Sequence, residues 1–372
     1  MRTAPAFWWR PAGLQARLLS PFGTLVGAAA ARRMARPPSF RAAVPVICVG
    51  NFVAGGAGKT PTAIAIARRA ALRGLSPFVL TRGYGGRLAG PELVDLAMHD
   101  ARAVGDEALL LARAAPTVVS RDRAAGAAFA ADRGAGLILM DDGFQNPTLA
   151  KDASVVVVDG GVGIGNGLCL PAGPLRAPLG AQLEKTDLVL VIGGSRDVTA
   201  GPAGVLVASA AARGIPAASG QLVPSNAEGF AGRRVIGFAG IGRPAKFFET
   251  LEQAGATVVG RHAFPDHHPF TEADAAGLLA AAEAAGAVLA TTAKDHVRLL
   301  PGGGPGTPAL GRLAASAIVV AVDLVLDRQD SMPGSRPDAF DVLIDQALDA
   351  RSRIRAANPA ALSENQWAAE SS

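Results

Sequence analysis

A glycine-rich loop between a short apolar run and a helix-forming segment constrains the fold of this chain more than any other feature. Residues 50–60 read Gly-Asn-Phe-Val-Ala-Gly-Gly-Ala-Gly-Lys-Thr. They follow a predicted strand, Val46–Val49, and precede a predicted helix, Thr62–Arg73. A strand, a loop of small residues and a helix N-terminus together turn backbone N–H groups towards phosphate oxygens. We therefore predict a P-loop that binds a nucleoside triphosphate.

The residue types in this loop indicate individual roles. Lys59 is expected to reach the β- and γ-phosphates, and the Thr60 hydroxyl is expected to bind Mg²⁺. Val53 occupies the position of the first glycine in the simplest P-loop pattern, but glycines later in the loop supply flexibility. The predicted phosphate contacts are Gly55, Gly56, Ala57, Gly58, Lys59 and Thr60.

Two adjacent carboxylates favour the same interpretation. Asp141 and Asp142 follow the predicted strand Leu137–Met140, where a P-loop fold places an acidic residue against the nucleotide-bound Mg²⁺. Both are predicted metal-side residues, and the sequence does not determine which one binds directly.

Short apolar runs alternate with alanine-rich stretches, which predicts a mostly parallel sheet flanked by helices. Further strands are predicted at Phe78–Thr81, Thr117–Ser120, Val155–Val158, Leu188–Ile192, Val235–Ala239, Thr257–Gly260, Val288–Thr292 and Ile318–Val322. Further helices are predicted at Asp106–Ala114, Pro244–Ala254 and Glu272–Ala285.

The predicted fold class is α/β and P-loop NTPase-like, with a smaller C-terminal α/β domain and an N-terminal amphipathic helix. A P-loop domain is predicted over residues 43–210. A Gly-, Pro-, Ser- and Asn-rich linker over 211–233 leads to the smaller domain, 234–328, which is expected to contribute to the active-site cleft. A C-terminal helix and polar tail are predicted over 329–372.

Residues 1–42 form a basic, amphipathic segment that also carries apolar and aromatic residues. The first acidic residue of the chain is Glu92, whereas seven arginines precede residue 42. Arginine clusters are attracted to anionic headgroups, and the Trp8–Trp9 pair can enter the acyl boundary. The apolar stretch Leu18–Ala31 is shorter than a spanning helix requires. We predict interfacial membrane association; a helix packed on the domain and a nucleic-acid-binding arm remain alternatives.

Cysteine content and charge bound the remaining classes. The two cysteines, Cys48 and Cys169, cannot form a disulfide framework, which favours a reducing compartment. The formal net charge is only +5, and we expect no nucleic-acid partner and a monomer. A regulatory GTPase would carry Asp-x-x-Gly after the acidic strand, but Asp141-Asp142-Gly143 has a different spacing.

Six further motifs accompany the loop, and the seven together resemble the tetraacyldisaccharide 4'-kinase family over roughly residues 14–325. In chain order the motifs are Val49-Gly50-Asn51 with Gly55-Gly56-Ala57-Gly58-Lys59-Thr60-Pro61, Thr81-Arg82-Gly83-Tyr84-Gly85-Gly86, Val104-Gly105-Asp106-Glu107, Asp141-Asp142-Gly143-Phe144-Gln145, Pro171-Ala172-Gly173-Pro174-Leu175-Arg176, Asp266-His267-His268 and Thr291-Thr292 with Lys294-Asp295.

The resemblance implies transfer of the γ-phosphate of ATP, with Mg²⁺, to the 4'-hydroxyl of a tetraacyl glucosamine disaccharide 1-phosphate, a lipid A precursor. It implies that Asp106 accepts the hydroxyl proton and that His267 orients this carboxylate. Arg176, on a Pro- and Gly-framed loop, is expected to stabilise the transferring phosphoryl group. His262 and His268 could replace His267 in a different alignment. The implied location is the cytoplasmic face of the bacterial inner membrane.

Two other functions are compatible with the loop alone. A P-loop kinase or ligase acting on a soluble small molecule would need no membrane-binding segment. A nucleotide-switched, membrane-associated factor would hydrolyse ATP slowly and without stimulation by an acceptor.

Overall fold

A computed structural model of the chain describes residues 4–56, 58–194, 197–300, 307–327 and 338–357. The predicted P-loop residue Ala57 lies outside the described residues. So do residues 329–337 and 358–372 of the predicted C-terminal tail.

The described strands, in chain order, are β1 (Val46–Gly50), β2 (Pro77–Thr81), β3 (Glu92–Leu93), β4 (Thr117–Val119), β5 (Leu137–Asp141), β6 (Ala153–Asp159), β7 (Leu188–Ile192), β8 (Ala217–Pro224), β9 (Arg234–Ala239), β10 (Thr257–Ala263), β11 (Val288–Thr292), β12 (Ile318–Val320) and β13 (Val322–Leu326).

The described α-helices are α1 (Leu14–Met34), α2 (Lys59–Leu72), α3 (Ala101–Val104), α4 (Asp106–Ala112), α5 (Arg123–Asp132), α6 (Leu179–Leu183), α7 (Gly204–Ala211), α8 (Pro244–Gln253), α9 (Glu272–Ala285), α10 (Ala293–Leu299), α11 (Pro308–Ser316) and α12 (Ala339–Ala357). Short 3₁₀ helices lie at Ala6–Trp9 and Ala227–Gly229.

Two sheets organise the molecule, and their topology confirms the predicted fold class. The larger sheet has the order β13-β8-β7-β6-β1-β5-β2-β4-β3, and the smaller has the order β10-β9-β11-β12. Pairing is parallel throughout, except that β13 and β3 run antiparallel to their neighbours at the two edges of the larger sheet. Below, the β9–β12 sheet with helices α8–α11 is called the smaller unit.

The central strands of the larger sheet are apolar on both faces because helices cover both faces. In β1, Val46 and Cys48 pack in one buried cluster, with residues of α1, α5, α6 and α7. Ile47 and Val49 pack in the other, with residues of α2, α4 and α12. This alternation follows from the two-residue period of a strand.

The predicted linker, residues 211–233, is wrong because it contains β8. This strand pairs with β7 and β13 in the larger sheet. Its small and polar composition suits a partly exposed position beside the edge strand, where few residues are fully buried. The predicted strand Ile318–Val322 is also divided, because β12 stays in the smaller sheet while β13 returns to the larger one.

The N-terminal helix α1 has two unlike faces. Its buried residues, Ala16, Gly23, Gly27 and Met34, recur at helical spacing. A Cβ atom at Gly27 would lie 2.8 Å from Cys169 Sγ, so this face needs small residues to approach the domain closely. No helix in the described parts of the chain combines the length and apolarity needed to cross a bilayer.

Candidate active site

The end of β1 and the start of α2 form the predicted P-loop, and glycine is sterically required at both ends. A Cβ at Gly50 would lie 2.3 Å from Phe144 Cβ. Gly58, which caps α2, has φ +89°, and a Cβ there would lie 2.7 Å from Ile192 Cδ1. The loop therefore turns tightly against its neighbours, and α2 begins directly with Lys59. This arrangement aims the N-terminus of α2 at the loop.

Buried amides brace the loop from within. Asn51 is fully buried, and its Nδ2 donates to the Gly55 carbonyl at 2.8 Å. Gln145 Nε2 donates to the Asn51 carbonyl at 2.9 Å and to Gln182 Oε1 at 2.9 Å. These contacts fix the loop before any phosphate binds, which lowers the ordering cost of binding.

Arg176 joins the loop to the acidic strand end. Its Nε donates to the Val53 carbonyl at 3.2 Å, and its Nη1 donates to Asp142 Oδ1 at 2.9 Å. Lys59 Nζ lies 3.7 Å from the same Oδ1. Burial opposes ionisation of Asp142, but the charges of Lys59 and Arg176 outweigh it and lower the pKa of this carboxyl.

Asp141 occupies a different environment from its neighbour. The register pairs it with Val49 at the end of β1, and its side chain is almost fully buried. Thr81 Oγ1 donates to its Oδ2 at 3.3 Å, whereas Oδ1 has no hydrogen-bond partner among the described residues. Burial, followed by the charge of Glu107, raises the pKa of Asp141 to about 7.

These residues fit a bound Mg²⁺. A cation would satisfy the unpartnered Asp141 oxygen and offset its burial, and Thr60 supplies a hydroxyl from the first turn of α2. Within the described residues no group of three or more His, Cys, Asp or Glu side chains could hold a metal by itself. In a P-loop kinase, phosphate oxygens of the nucleotide and water molecules would complete the coordination of the ion.

The predicted Asp106 and His267 lie together, although they are far apart in sequence. Asp106 begins α4, and its Oδ2 lies 3.0 Å from His267 Nδ1. Its Oδ1 accepts from the Glu107 backbone N–H at 2.9 Å. Burial opposes ionisation of Asp106, but the hydrogen bond with His267 and the charge of Arg298 outweigh it and hold its pKa well below the usual range. The same hydrogen bond raises the pKa of His267.

The other two candidate histidines are elsewhere. His268 Nε2 lies 3.0 Å from Asp274 Oδ2, and the ring stacks on Phe264. His262 lies exposed on β10. The Tyr84 ring, in contrast, is 6.2 Å from the His267 ring. The structure thus brings His267, and not its neighbours in sequence, next to Asp106.

Two residues of α10 complete this region: Arg298, which the sequence interpretation missed, and Lys294, which it placed in a motif without assigning a role. Arg298 Nε donates to Asp106 Oδ2 at 2.9 Å, and Lys294 forms an ion pair with Glu107. Both cations belong to α10, four residues apart and thus on one helical face. That spacing after the Lys294-Asp295 motif was the available signal. The charge of Glu107 also contributes to the raised pKa of Asp141.

Comparison with known proteins places the chain among bacterial kinases. The family model described as tetraacyldisaccharide-1-P 4'-kinase matches residues 15–332. A tetraacyldisaccharide 4'-kinase of Methylobacterium sp. (strain 4-46) is 58% identical over 299 residues, covering 80% of this chain and 88% of the relative. One of Xanthobacter autotrophicus is 52% identical over 356 residues, covering 95% and 99%. The chain belongs to the tetraacyldisaccharide 4'-kinase family.

A solved structure supports the fold independently. LpxK from Aquifex aeolicus, in complex with ATP, matches with a TM-score of 0.65 and 22% identity, covering 91% of this chain and 99% of that one. As a tetraacyldisaccharide 4'-kinase with this P-loop fold, the chain is a phosphotransferase that uses ATP. The matched family region ends before α12 begins.

Proposed function

We propose that this chain transfers the γ-phosphate of ATP to the 4'-hydroxyl of a tetraacyl glucosamine disaccharide 1-phosphate, giving lipid IVA. The observation that supports this best is the pairing of a P-loop with a buried carboxylate, Asp106, that is hydrogen-bonded to His267. A P-loop alone would serve hydrolysis or switching. A carboxylate–imidazole pair beside it serves activation of an acceptor hydroxyl.

In the proposed reaction, Asp106 accepts the proton of the 4'-hydroxyl as its oxygen attacks the γ-phosphorus. The new O–P bond forms while the bond from the γ-phosphorus to the β–γ bridging oxygen breaks, and ADP leaves. Lys59 holds the β- and γ-phosphates, and Arg176 neutralises charge on the transferring group. Mg²⁺ held by Thr60 and Asp141 would supply further charge neutralisation; Asp142, paired with Arg176, positions that arginine.

The low pKa of Asp106 is compatible with this role. It keeps the carboxylate ionised at neutral pH and therefore able to accept the hydroxyl hydrogen bond. Phosphoryl transfer through a loose transition state needs little nucleophile activation early in the reaction, so a weak base in the correct position is sufficient. His267 orients the carboxylate through its Nδ1.

Transfer of labelled γ-phosphate to a tetraacyl disaccharide 1-phosphate in mixed micelles tests the activity. We expect Lys59→Ala and Asp106→Asn to lose most transfer, with a fall of about 10²–10⁴-fold for the base. Lys185→Ala and Asp132→Asn are matched controls, because both residues are exposed, Lys185 just after α6 and Asp132 at the end of α5. ATP turnover by the unsubstituted protein that ignores the lipid would instead favour a soluble-substrate enzyme or a nucleotide switch.

The outward face of α1 supports a further proposal, that the chain docks on the cytoplasmic face of the inner membrane. Leu14, Leu18, Phe22 and Leu25 are 61–74% exposed and lie at helical spacing opposite the buried small residues. Arginines lie exposed at both ends of this helix rather than along one side. Insertion of the apolar stripe would bring these charges to headgroup level, each worth about 1 kcal/mol at an anionic surface.

Vesicle cosedimentation tests the docking. A double variant, Leu18→Ser with Phe22→Ser, should lose binding to phosphatidylethanolamine–phosphatidylglycerol vesicles and raise the KM for the lipid but not for ATP. Leu72→Ser is the matched control, because Leu72 is 83% exposed but lies at the end of α2. Equal binding of both variants would exclude the α1 stripe as the docking surface.

A further inference from the structure

The Arg298 side chain is almost completely buried. All three of its guanidinium nitrogens donate hydrogen bonds, to two carboxylates and one backbone carbonyl. Its side chain is 6% exposed. Nε and Nη2 both donate to Asp106 Oδ2, and Nη1 donates to Asp295 Oδ1 at 2.8 Å and to the Gly240 carbonyl at 2.8 Å. Such a fork with fixed geometry is available to arginine and not to lysine.

Asp295, one of the two carboxylates that Arg298 contacts, is held firmly within the smaller unit. Asp295 has no exposed side-chain surface, and it also accepts from the Gly240 N–H at 2.9 Å and from Thr292 Oγ1 at 2.6 Å. A Cβ at Gly240 would lie 3.1 Å from Asp295 Oδ1, so the end of β9 packs tightly on this carboxylate. Arg298 therefore extends from a fixed base towards α4.

His267 closes a ring with the same groups. Its backbone N–H donates to the Gly240 carbonyl at 3.0 Å, the carbonyl that also accepts from Arg298. Its Nδ1 lies 3.0 Å from Asp106 Oδ2, the oxygen on which Arg298 converges. His267 has φ +58°, which side-chain-bearing residues rarely adopt, so these contacts must hold it there. Arg298 and His267 thus reach Asp106 from one shared anchor.

We propose that Arg298 is a positioning residue for the phosphoryl transfer. It connects the smaller unit to the start of α4, and this contact fixes the position of Asp106 relative to His267. The inference rests on the proposed function, in which Asp106 is the proton acceptor. Arg298 itself is not assigned any contact with ATP or the lipid. Its role is to hold the acceptor carboxylate ionised and correctly directed.

The charged environment of Asp106 makes this role measurable through pH. The ionisable groups near it are His267 and Asp266 on the loop after β10, Glu107 on α4, and Lys294, Asp295 and Arg298 on α10. The charge of Arg298 lowers the pKa of both Asp106 and His267. Its loss raises both values, so the acidic limb of the kcat/KM profile should move to higher pH.

Two substitutions separate positioning from folding. Arg298→Gln leaves the buried Asp295 without its cation and is expected to lower stability. Arg298→Lys keeps the charge but cannot reach both carboxylates. We expect Arg298→Lys to fold, to retain the KM for ATP, and to lose about tenfold or more in kcat. Arg298→Gln, which removes the charge, should in addition move the acidic limb of the kcat/KM profile to higher pH, whereas Arg298→Lys should not. Arg312→Lys, on an exposed position of α11, is the matched control.

A double-mutant cycle with His267→Ala completes the test. If Arg298 acts by fixing the position of Asp106 relative to His267, adding Arg298→Lys to His267→Ala should lower kcat much less than Arg298→Lys does alone. Additive losses of kcat in the cycle, measured on variants whose thermal unfolding matches the unsubstituted protein, would overturn the inference. An unsubstituted enzyme that fails to phosphorylate the lipid would instead overturn the proposed function, so the two failures are distinguishable.

Discussion

Replacing Ile344 with alanine tests how α12, which lies beyond the matched family region, supports the P-loop. The helix packs against α2, β1 and β6, and Ile344 has no exposed surface. Deleting a buried isoleucine to alanine removes its burial and leaves a cavity, which costs about 2–5 kcal/mol. We expect the free energy of unfolding to fall by that amount.

Ion pairs offer the competing account of the same contact. Arg73 pairs with Asp345, but these side chains are 29% and 52% exposed. Exposed pairs of this kind contribute about 0–1 kcal/mol each, because solvent screens them and ordering two long side chains is costly. Asp345→Asn should therefore cost less than about 1 kcal/mol, several-fold less than Ile344→Ala.

Urea unfolding followed by circular dichroism measures both variants, with Ile344→Val expected at about 0.5–1.5 kcal/mol. Because α2 begins with Lys59 and Thr60, the KM for ATP should rise with Ile344→Ala before activity is lost to unfolding. If Asp345→Asn destabilised the protein as much as Ile344→Ala, the apolar explanation of α12 docking would be refuted.

Three further outcomes follow from the site and its glycines. Asp141→Asn should abolish most transfer yet stabilise the nucleotide-free protein at pH 8; burial raises the pKa of Asp141 to about 7, so folding favours its protonated form. The unsubstituted protein should accordingly lose stability as pH rises from about 4 to about 7, and the variant should not. Urea unfolding at these two pH values measures the difference. Gly50→Ala should cost about 1–3 kcal/mol because its Cβ would strike Phe144. Gly277→Ala, mid-helix in open space, should gain up to about 1 kcal/mol, and equal effects at both glycines would contradict the packing argument.

The parts of the fold that sequence could predict are those whose signal is local. Strands buried on both faces must be apolar throughout, so β1, β5 and β7 were recognisable, with bounds correct to within one residue. The P-loop was equally local, because its glycines and Lys59 are contiguous in sequence. Strand β8 was not recognisable, since a partly exposed strand beside the sheet edge tolerates glycine, serine and proline that also mark linkers.

The residues of the candidate site also fall into those with a local sequence signal and those without one. Lys59, Thr60 and the Asp141–Asp142 pair belong to short motifs with a required context. Asp106 and His267 are 161 residues apart, and only the family resemblance joined them; their contact is now observed, while their catalytic roles stay a prediction. Arg298 is 192 residues from Asp106, and no short pattern encodes a contact across two sheets.

Backbone strain marks the same two places from a different direction. Among the described non-glycine residues, Asp142 and His267 have positive φ, at +48° and +58°. Each such conformation costs about 1–2 kcal/mol for a residue with a side chain, so the fold must hold it by other contacts. The Asp142 N–H donates to the Val49 carbonyl at 3.0 Å, and the His267 N–H donates to the Gly240 carbonyl at the same distance. Glycine would relieve both positions but would remove the carboxylate beside Lys59 and the imidazole beside Asp106. The chain therefore retains backbone strain at Asp142 and at His267, two residues whose side chains the proposed transfer requires.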